Sequence, residues 1–224
     1  MGIVGINGVG KSTLLKTLAR FQPTLSGNVL LKGKPLEKYS GGEMAQLVSV
    51  VLTEPIAAKH IAVQELIALG RHPYTNWLGK LSRTDKDEIE KAISLLNLED
   101  MRTTPCAELS DGQLQRVLIA RAMAQGTDIM LLDEPTTHLD LYHKVAILKI
   151  LKTLAHSLQK TIVYTTHDIE LAIQLCDKLL IMNGDKNPFD QPCNLIMHQE
   201  FERLFPSDNV TFNPKTGSFK IRNI

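Results

Sequence analysis

A glycine-rich segment near the start of the chain, GINGVGKST, has the residue types and spacing of a phosphate-binding loop. It matches GxxxxGK[ST] from Gly5 to Ser12 and lies between an apolar run and a helical pattern, as such loops do. Backbone N–H groups in this geometry donate to phosphate oxygens, and the helix N-terminus adds a partial positive charge. We therefore expect Lys11 to reach the β- and γ-phosphates of a nucleotide and the Ser12 hydroxyl to bind Mg²⁺. The residues expected to bind the nucleotide are Gly5, Asn7, Gly8, Val9, Gly10, Lys11, Ser12 and Thr13.

A pair of acidic residues, Asp133 and Glu134, ends a second apolar run in the segment IMLLDEP. Ligands of open α/β sheets bind at the carboxyl ends of the strands, so this position favours a role in chemistry. We expect Asp133 to be the carboxylate that binds the metal and Glu134 to polarise an attacking water. The alternative is that Asp133 and Glu134 form an ordinary pair of surface acids, as Glu99 and Asp100 are expected to do.

A second phosphate-facing helix start is predicted in LSDGQLQRVLIARAM, which runs from Leu109 to Met123. Ser110 and Gln113 have the spacing of a capping box, in which each side chain bonds to the backbone N–H of the other residue. Gly112 in the first turn costs about 1 kcal/mol of helix stability unless the backbone must come close to another group. This cost favours a functional helix start, formed by Ser110, Gly112 and Gln113, over a merely well-capped one.

Composition sets limits on the partners and the compartment. The 224 residues carry a formal net charge of +1, without the positive excess that suits a nucleic-acid backbone, so no nucleic acid is expected. The 3 cysteines lack the spacing of a disulfide framework or a zinc site, which favours a reducing cytosol. The sequence has no leader-like start and no apolar run of about 18 to 20 residues, so we expect a soluble chain.

Short apolar runs alternate with amphipathic helical patterns along most of the chain. The runs GIVGI, LVSVVL, DIMLLD, TIVYTT and KLLIM predict an α/β fold with a parallel sheet that is covered on both faces. Between residues 54 and 109 the strand signal disappears, and Thr84 with Asp87 is expected to open a helix. The segment Ser40 to Gln46 is expected to form a loop, and VTFNPKTGSFKI a terminal hairpin.

The chain contains, in this order, the motifs GINGVGKST, LSDGQ, MLLDEP, THLD and TTHD. In this set and order the chain resembles the ATP-binding subunit of an ABC transporter. The resemblance covers nearly all of residues 1–185 and implies a P-loop NTPase core that binds ATP and Mg²⁺. It implies a head-to-tail homodimer, in which the signature of one chain, residues 110–113, closes over the ATP held by Lys11 of the other. By the same resemblance the catalytic residues are Lys11, Glu134 as the base, and His167, which contacts the γ-phosphate.

The resemblance and the changes of pattern along the chain together predict three parts. A P-loop ATPase core is formed by residues 1–53 and 110–186, an inserted helical, signature-containing subdomain by residues 54–109, and a small C-terminal appendage by residues 187–224. Two strands that precede the phosphate loop in the family have no counterpart here, so N-terminal strands are expected to be missing from the sheet.

Single residues give three further expectations. Leu139 and Asp140 of THLD would communicate across the dimer, by the resemblance. Thr53 stands where the family has a glutamine, and its hydroxyl is a shorter candidate ligand of Mg²⁺. Asp111 replaces the first glycine of an LSGGQ signature, and its negative charge would disfavour the approach of the partner's phosphates.

The segment from Glu65 to Asp85 resembles the helical insert of ATPases that serve importers of iron siderophores, haem and cobalamin. The resemblance implies integral membrane permease subunits that dock near Ala57 to Trp77, and indirectly a solute-binding protein. It places the chain peripherally on the cytoplasmic side of the inner membrane. Two alternatives stay open, namely a soluble ABC ATPase acting on nucleic acid or ribosomes, and a truncated nucleotide-binding module that does not hydrolyse ATP.

Overall fold

The computed structural model of the chain describes residues 1–53, 60–184, 186–205 and 210–221. The strands are β1 (Gly2–Gly5), β2 (Leu30–Leu31), β3 (Lys34–Pro35), β4 (Val48–Val51), β5 (Ile129–Leu132), β6 (Thr161–Thr165), β7 (Leu179–Met182), β8 (Phe189–Asp190), β9 (Val210–Asn213) and β10 (Ser218–Ile221). The α-helices are α1 (Lys11–Leu18), α2 (Gly41–Leu47), α3 (Val63–Ala68), α4 (Arg83–Leu95), α5 (Asp111–Ala124), α6 (Leu141–Ser157), α7 (Ile169–Leu175) and α8 (Pro192–Met197). Among these described helices, none combines the length and the apolar character needed to cross a membrane.

The main sheet has the strand order β4-β5-β6-β1-β7-β8. All pairs from β4 to β7 are parallel, and only β8 runs antiparallel to its neighbour. The parallel strands consist mostly of buried residues, largely apolar, as expected where helices cover both faces of a sheet, and this confirms the predicted α/β fold with a parallel sheet. Because β1, β5 and β6 run in the same direction, their carboxyl ends lie at one edge of the sheet, where the candidate chemistry is found.

An apolar cluster joins helices α3, α4 and α5 to the sheet. Helices α3, α4 and α5 pack against one another, and their buried side chains form one continuous cluster with residues of β4 and β5. The buried guanidinium of Arg71 strengthens this contact, since its Nε donates to Asp85 at 2.8 Å and its Nη1 donates to the carbonyl oxygen of Ala124 at 2.8 Å. The boundaries 54–109 and 110–186 stay predictions, because α5 contacts both the helical segment and the sheet.

Two local predictions are wrong, and both errors concern capping boxes. Residues Ser40 to Gln46 form the start and most of α2 rather than a loop, because the Ser40 hydroxyl accepts from the Glu43 N–H and Glu43 accepts from the Ser40 N–H. The backbone N–H and the hydroxyl of Ser40, and then the Lys34 ammonium, lower the pKa of the Glu43 carboxyl to about 2. Helix α4 is opened by Ser82 with Asp85 rather than by Thr84 with Asp87.

The predicted terminal hairpin is present as the antiparallel pair β9 and β10. The Phe212 ring stacks on Phe201, which gives the hairpin an apolar contact with the preceding segment. Within the hairpin, the Phe212 ring lies 5.1 Å from the Phe219 ring. The Phe219 N–H donates to a Glu170 carboxylate oxygen at 2.8 Å, which ties the hairpin to α7. The C-terminal segment therefore packs on the helix that directly follows His167.

Candidate functional site

The predicted phosphate loop connects β1 to α1, in the strand–loop–helix context that its chemistry requires. Gly10 caps α1 with a φ of 103°, a left-handed conformation that glycine adopts without strain, and its carbonyl oxygen accepts from the Leu14 N–H at 2.8 Å. The loop residues Ile6, Asn7 and Gly8 are exposed, so the loop is open to a ligand.

The side chain of Lys11 lies buried across this loop. Its ammonium donates to the carbonyl oxygens of Gly5 at 2.9 Å and of Ile6 at 3.2 Å, and it lies 3.4 Å from Nδ1 of His167. Burial lowers the pKa of the Lys11 ammonium, while the negative charge of Glu134 acts in the opposite direction. A phosphate bound in the loop would meet this cation directly, since its present partners are weak carbonyl acceptors.

The Ser12 hydroxyl and the Asp133 carboxylate meet at the carboxyl edge of the sheet. Ser12 Oγ donates to Asp133 Oδ1 at 2.9 Å, and the buried Thr165 hydroxyl donates to the same oxygen at 2.7 Å. Mg²⁺ prefers hard oxygen ligands and is usually held by one or two carboxylates together with phosphates and waters. The Ser12 hydroxyl and the Asp133 carboxylate are oxygen ligands of this kind, so the pair fits a Mg²⁺ ion.

Glu134 and His167 lie opposite each other at the same edge. His167 Nε2 contacts Glu134 Oε1 closely, and Thr137 donates to the other carboxylate oxygen at 3.1 Å. The backbone N–H of Glu134 donates to the Thr165 hydroxyl at 2.9 Å, and its φ of 46° is unusual for a residue with a side chain. Glu134 is thus held in one orientation by Thr137, Thr165 and His167, which suits a residue that must orient a water.

The signature residues lie at the start of α5. Ser110 and Gln113 form the predicted capping box, with distances of 3.3 Å from the Gln113 N–H to the Ser110 hydroxyl and 2.8 Å for the reciprocal bond. Ser110 is exposed, whereas Gly112 is buried. Within the described residues, no hydrogen bond or ion pair links these three residues to the phosphate loop of the same chain.

Thr53 is not brought to the candidate metal site by any hydrogen bond among the described residues. It lies exposed, two residues beyond the end of β4, and it is followed by residues 54–59, which lie outside the described part of the chain. Its expected role as a ligand of Mg²⁺ stays a prediction. The first three residues of the expected docking region, 57–59, lie in the same gap, while Trp77 at its far end is 91% exposed.

The sequence interpretation missed two groups that organise the site. Thr165 bridges Asp133 and Glu134, and its place at the end of an apolar run, as the first residue of TTHD, was a usable signal. The carboxylate of Asp168, the last residue of that motif, accepts from Thr136 at 3.2 Å and from Lys144 at 2.9 Å. These bonds connect the segment after β5 to the segment after β6.

The glycine-rich loop lies between a parallel strand and a helix, and an aspartate at the end of a nearby strand is hydrogen-bonded to its serine. This combination defines a P-loop nucleotide-binding protein. Comparison with known proteins narrows this class. The sequence pattern of the ABC transporter family matches residues 1–137. An ATP-binding protein of Bacillus subtilis, named for a siderophore transport system, is 42% identical over 218 residues, which are 96% of this chain and 79% of that protein.

Solved structures agree with the sequence match. A transporter described as of the metal-chelate type, in an inward-facing conformation, superposes with a TM-score of 0.80 and 28% identity over 98% of this chain and 82% of the other. A dimeric ATP-binding cassette in a post-hydrolysis state, bound to ADP and Pi, superposes with a TM-score of 0.71 and 25% identity over 85% and 84% of the two chains. The chain therefore belongs to the ABC transporter family, and its fold is that of the ATPases of this family.

Proposed function

We propose that this chain is the ATP-hydrolysing subunit of an ABC importer and that two copies form its two reaction centres. The observation that carries the proposal is the convergence of Lys11, Ser12, Asp133 and Glu134 at one edge of the sheet. These groups provide a cation for the phosphates, oxygen ligands for a metal and a carboxylate for a water. The similarity to the siderophore-system protein of Bacillus subtilis favours an iron chelate or a related metal complex as the solute.

The proposed reaction is in-line attack of a water on the γ-phosphate of ATP. Glu134 orients the water and accepts its proton, while His167 and Lys11 donate to the phosphate oxygens as negative charge shifts toward the leaving group. Mg²⁺ held by Ser12 and Asp133 would neutralise charge on the phosphates. The close contact between His167 and Glu134 keeps these two groups on the same side of the site.

The second half of each centre is proposed to come from another copy of the chain. Ser110 is exposed at the start of α5 and, among the described residues, has no hydrogen bond to the loop of its own chain, so we assign it to the loop of a neighbour. A two-fold dimer in head-to-tail orientation brings each signature to the partner's loop and leaves no site unmatched. The similar cassette solved as a dimer with ADP and Pi supports this arrangement.

The remaining partners follow from the same proposal. An importer needs membrane subunits, and the region ending at the exposed Trp77 is the proposed docking surface for them, with a solute-binding protein acting through those subunits. The chain would then sit peripherally on the cytoplasmic side of the membrane. Co-expression with the membrane subunits of its transporter, followed by membrane fractionation, tests this placement against recovery with ribosomes or RNA.

Phosphate release tests the chemistry. We expect the purified chain to release phosphate from ATP in the presence of Mg²⁺, and Glu134→Gln to lower the rate by at least about 100-fold while nucleotide binding is kept. Glu99→Gln, which neutralises an acid far along the chain, is the matched control and should leave the rate unchanged. Equal rates for Glu134→Gln and the unmodified chain would rule out the mechanism.

Complementation tests the shared site. Lys11→Met removes the loop's cation, and Ser110→Ala weakens the signature, so each variant alone should be nearly inactive. In a mixed head-to-tail dimer both changes fall in one centre and the other centre is intact, so mixing should restore turnover. If mixtures stay as inactive as the separate variants, each chain uses its own signature or the two sites cannot act independently, and the proposal of two independent shared centres fails.

A further inference from the structure

The first turn of α6 contacts the signature of the same chain through His143. A Cβ atom added to Gly112 would lie 3.1 Å from Cδ2 of the His143 ring, which is closer than side chains usually pack, and in ordinary contact with Cγ at 3.5 Å. The imidazole ring therefore occupies the space next to the Gly112 backbone. This contact supplies a physical reason for a glycine at this buried position of the helix, where it otherwise lowers helix stability.

The same ring is held from the other side by Asp140, the residue that caps α6. Asp140 Oδ1 accepts from the His143 backbone N–H at 2.9 Å, and Nδ1 of the ring lies 2.8 Å and 2.9 Å from the two carboxylate oxygens. These bonds keep the pKa of the Asp140 carboxyl below its usual range. The ring of Tyr142 meets the His143 ring edge-on, with centroids 5.4 Å apart.

We propose that His143 is a positioning residue, which sets the signature at the start of α5 relative to the segment Leu139–Asp140. This inference rests on the proposed function, which turns both segments toward the second chain. One face of the ring limits how closely the Gly112 backbone can approach, and one ring nitrogen is fixed on Asp140. A movement of either segment would therefore be passed to the other through the His143 side chain.

The arrangement has a consequence for turnover. Reaction centres lose about 100-fold in rate when a group is misplaced by roughly 1 Å, so a signature that is not held in place would close poorly over the partner's nucleotide. Nucleotide binding to the loop of a single chain would be unaffected, because His143 and Gly112 have no contact with Lys11 or Ser12 among the described residues. The expected defect lies in association of two chains and in turnover.

Thermal unfolding of Gly112→Ala, His143→Ala and the double variant tests the contact itself. In the unmodified chain the new Cβ at position 112 meets the ring, so Gly112→Ala should lower Tm or leave it unchanged. With the ring removed, alanine should raise Tm, since it favours helix over glycine. A change in Tm that is the same in both backgrounds would show that the ring does not restrict this position and would overturn the proposal.

Association and turnover test the positioning role. In the Glu134→Gln background we expect His143→Ala to weaken ATP-dependent dimer formation by about tenfold while the affinity of the single chain for a fluorescent ATP analogue is kept. In the otherwise unmodified chain it should lower kcat more than it changes KM. His143→Phe keeps a ring beside Gly112 but loses the bond to Asp140, and should recover part of the loss.

His156→Ala is the matched control, because His156 lies on the same helix, is similarly exposed, and pairs with Asp177 at 3.1 Å as His143 pairs with Asp140. It should leave dimer formation and kcat unchanged. If His143→Ala behaves like His156→Ala while Glu134→Gln still abolishes phosphate release, this inference fails and the proposed function stands. If Glu134→Gln has no effect, the proposed function fails, and the positioning role fails with it even where the unfolding data support the contact.

Discussion

Nε2 of His167 contacts the carboxylate of Glu134, so two residues that lie 33 positions apart are joined at the carboxyl edge of the sheet. The His167 side chain is 46% exposed and that of Glu134 only 21%, which places the imidazole on the outer side of the carboxylate. The other ring nitrogen is 3.4 Å from the ammonium of Lys11. His167 is thereby in contact with both the proposed base and the proposed phosphate-binding cation.

Loss of this imidazole should impair turnover more than binding. We expect His167→Ala to lower kcat by about 100-fold or more, because Glu134 loses its partner and the γ-phosphate loses a donor. The KM for ATP should change little, since the loop and Lys11 remain. Steady-state phosphate release measures both constants, with the exposed His198→Ala as the control. A variant with the kcat of the unmodified chain would contradict the assigned role of His167.

Removing the charge of Asp133 should raise the requirement for Mg²⁺. Asp133→Asn keeps an oxygen that can accept from Ser12 and Thr165, so the local hydrogen bonds and Tm should be nearly unchanged. The lost charge should increase the Mg²⁺ concentration for half-maximal turnover by roughly 10- to 100-fold. A titration of turnover with Mg²⁺ measures the shift, and Asp100→Asn serves as the control. An unshifted titration would place the metal elsewhere.

Nucleotide affinity should fall at alkaline pH because burial lowers the pKa of Lys11. As the pH rises through that lowered pKa, the ammonium loses its proton and its attraction for the phosphates, so binding of an ATP analogue should weaken at a lower pH than the pKa of about 10.4 of an ordinary lysine would give. Lys11→Arg stays charged at alkaline pH, so its affinity, even if lower, should not show this decline. An identical decline in both proteins would assign the pH dependence to another group.

The buried pair of Arg71 and Asp85 should stabilise the contact between the helical segment and α5. Asp85→Ala leaves the guanidinium buried without its partner and should cost about 3 kcal/mol of the free energy of unfolding, whereas the exposed Asp87→Ala on the same helix should cost little. Urea unfolding near neutral pH measures the difference. Similar losses for the two variants would contradict it.

The same aspartate predicts how stability depends on pH. Hydrogen bonds from Ser82, and then the charge of Arg71, lower the pKa of Asp85 in the folded chain. A carboxyl whose pKa is lower when folded stabilises the chain above its unfolded pKa of about 3.9, and this stabilisation is lost as the pH falls through the folded pKa. The free energy of unfolding of Asp85→Ala should therefore fall less steeply with acid than that of the unmodified chain.

Much of the architecture could be read from local sequence, because each feature depends on neighbouring residues. The apolar runs predicted all five parallel strands, and the spacing from Gly5 to Ser12 predicted the loop and the helix after it. Capping was harder to assign. Ser40 with Glu43 starts a helix by the same physical rule as Ser110 with Gln113, yet the short apolar run that follows made it resemble a loop.

The sequence by itself determined which residue types stand at strand ends and helix starts, since these follow from periodicity and from capping over three or four positions. Only the tertiary structure decided which of these ends meet. The bond of Ser12 to Asp133, the bridge through Thr165 and the ring of His143 beside Gly112 join residues that are far apart along the chain. Such contacts depend on strand order and helix packing, which emerge only when the sheet and its covering helices assemble.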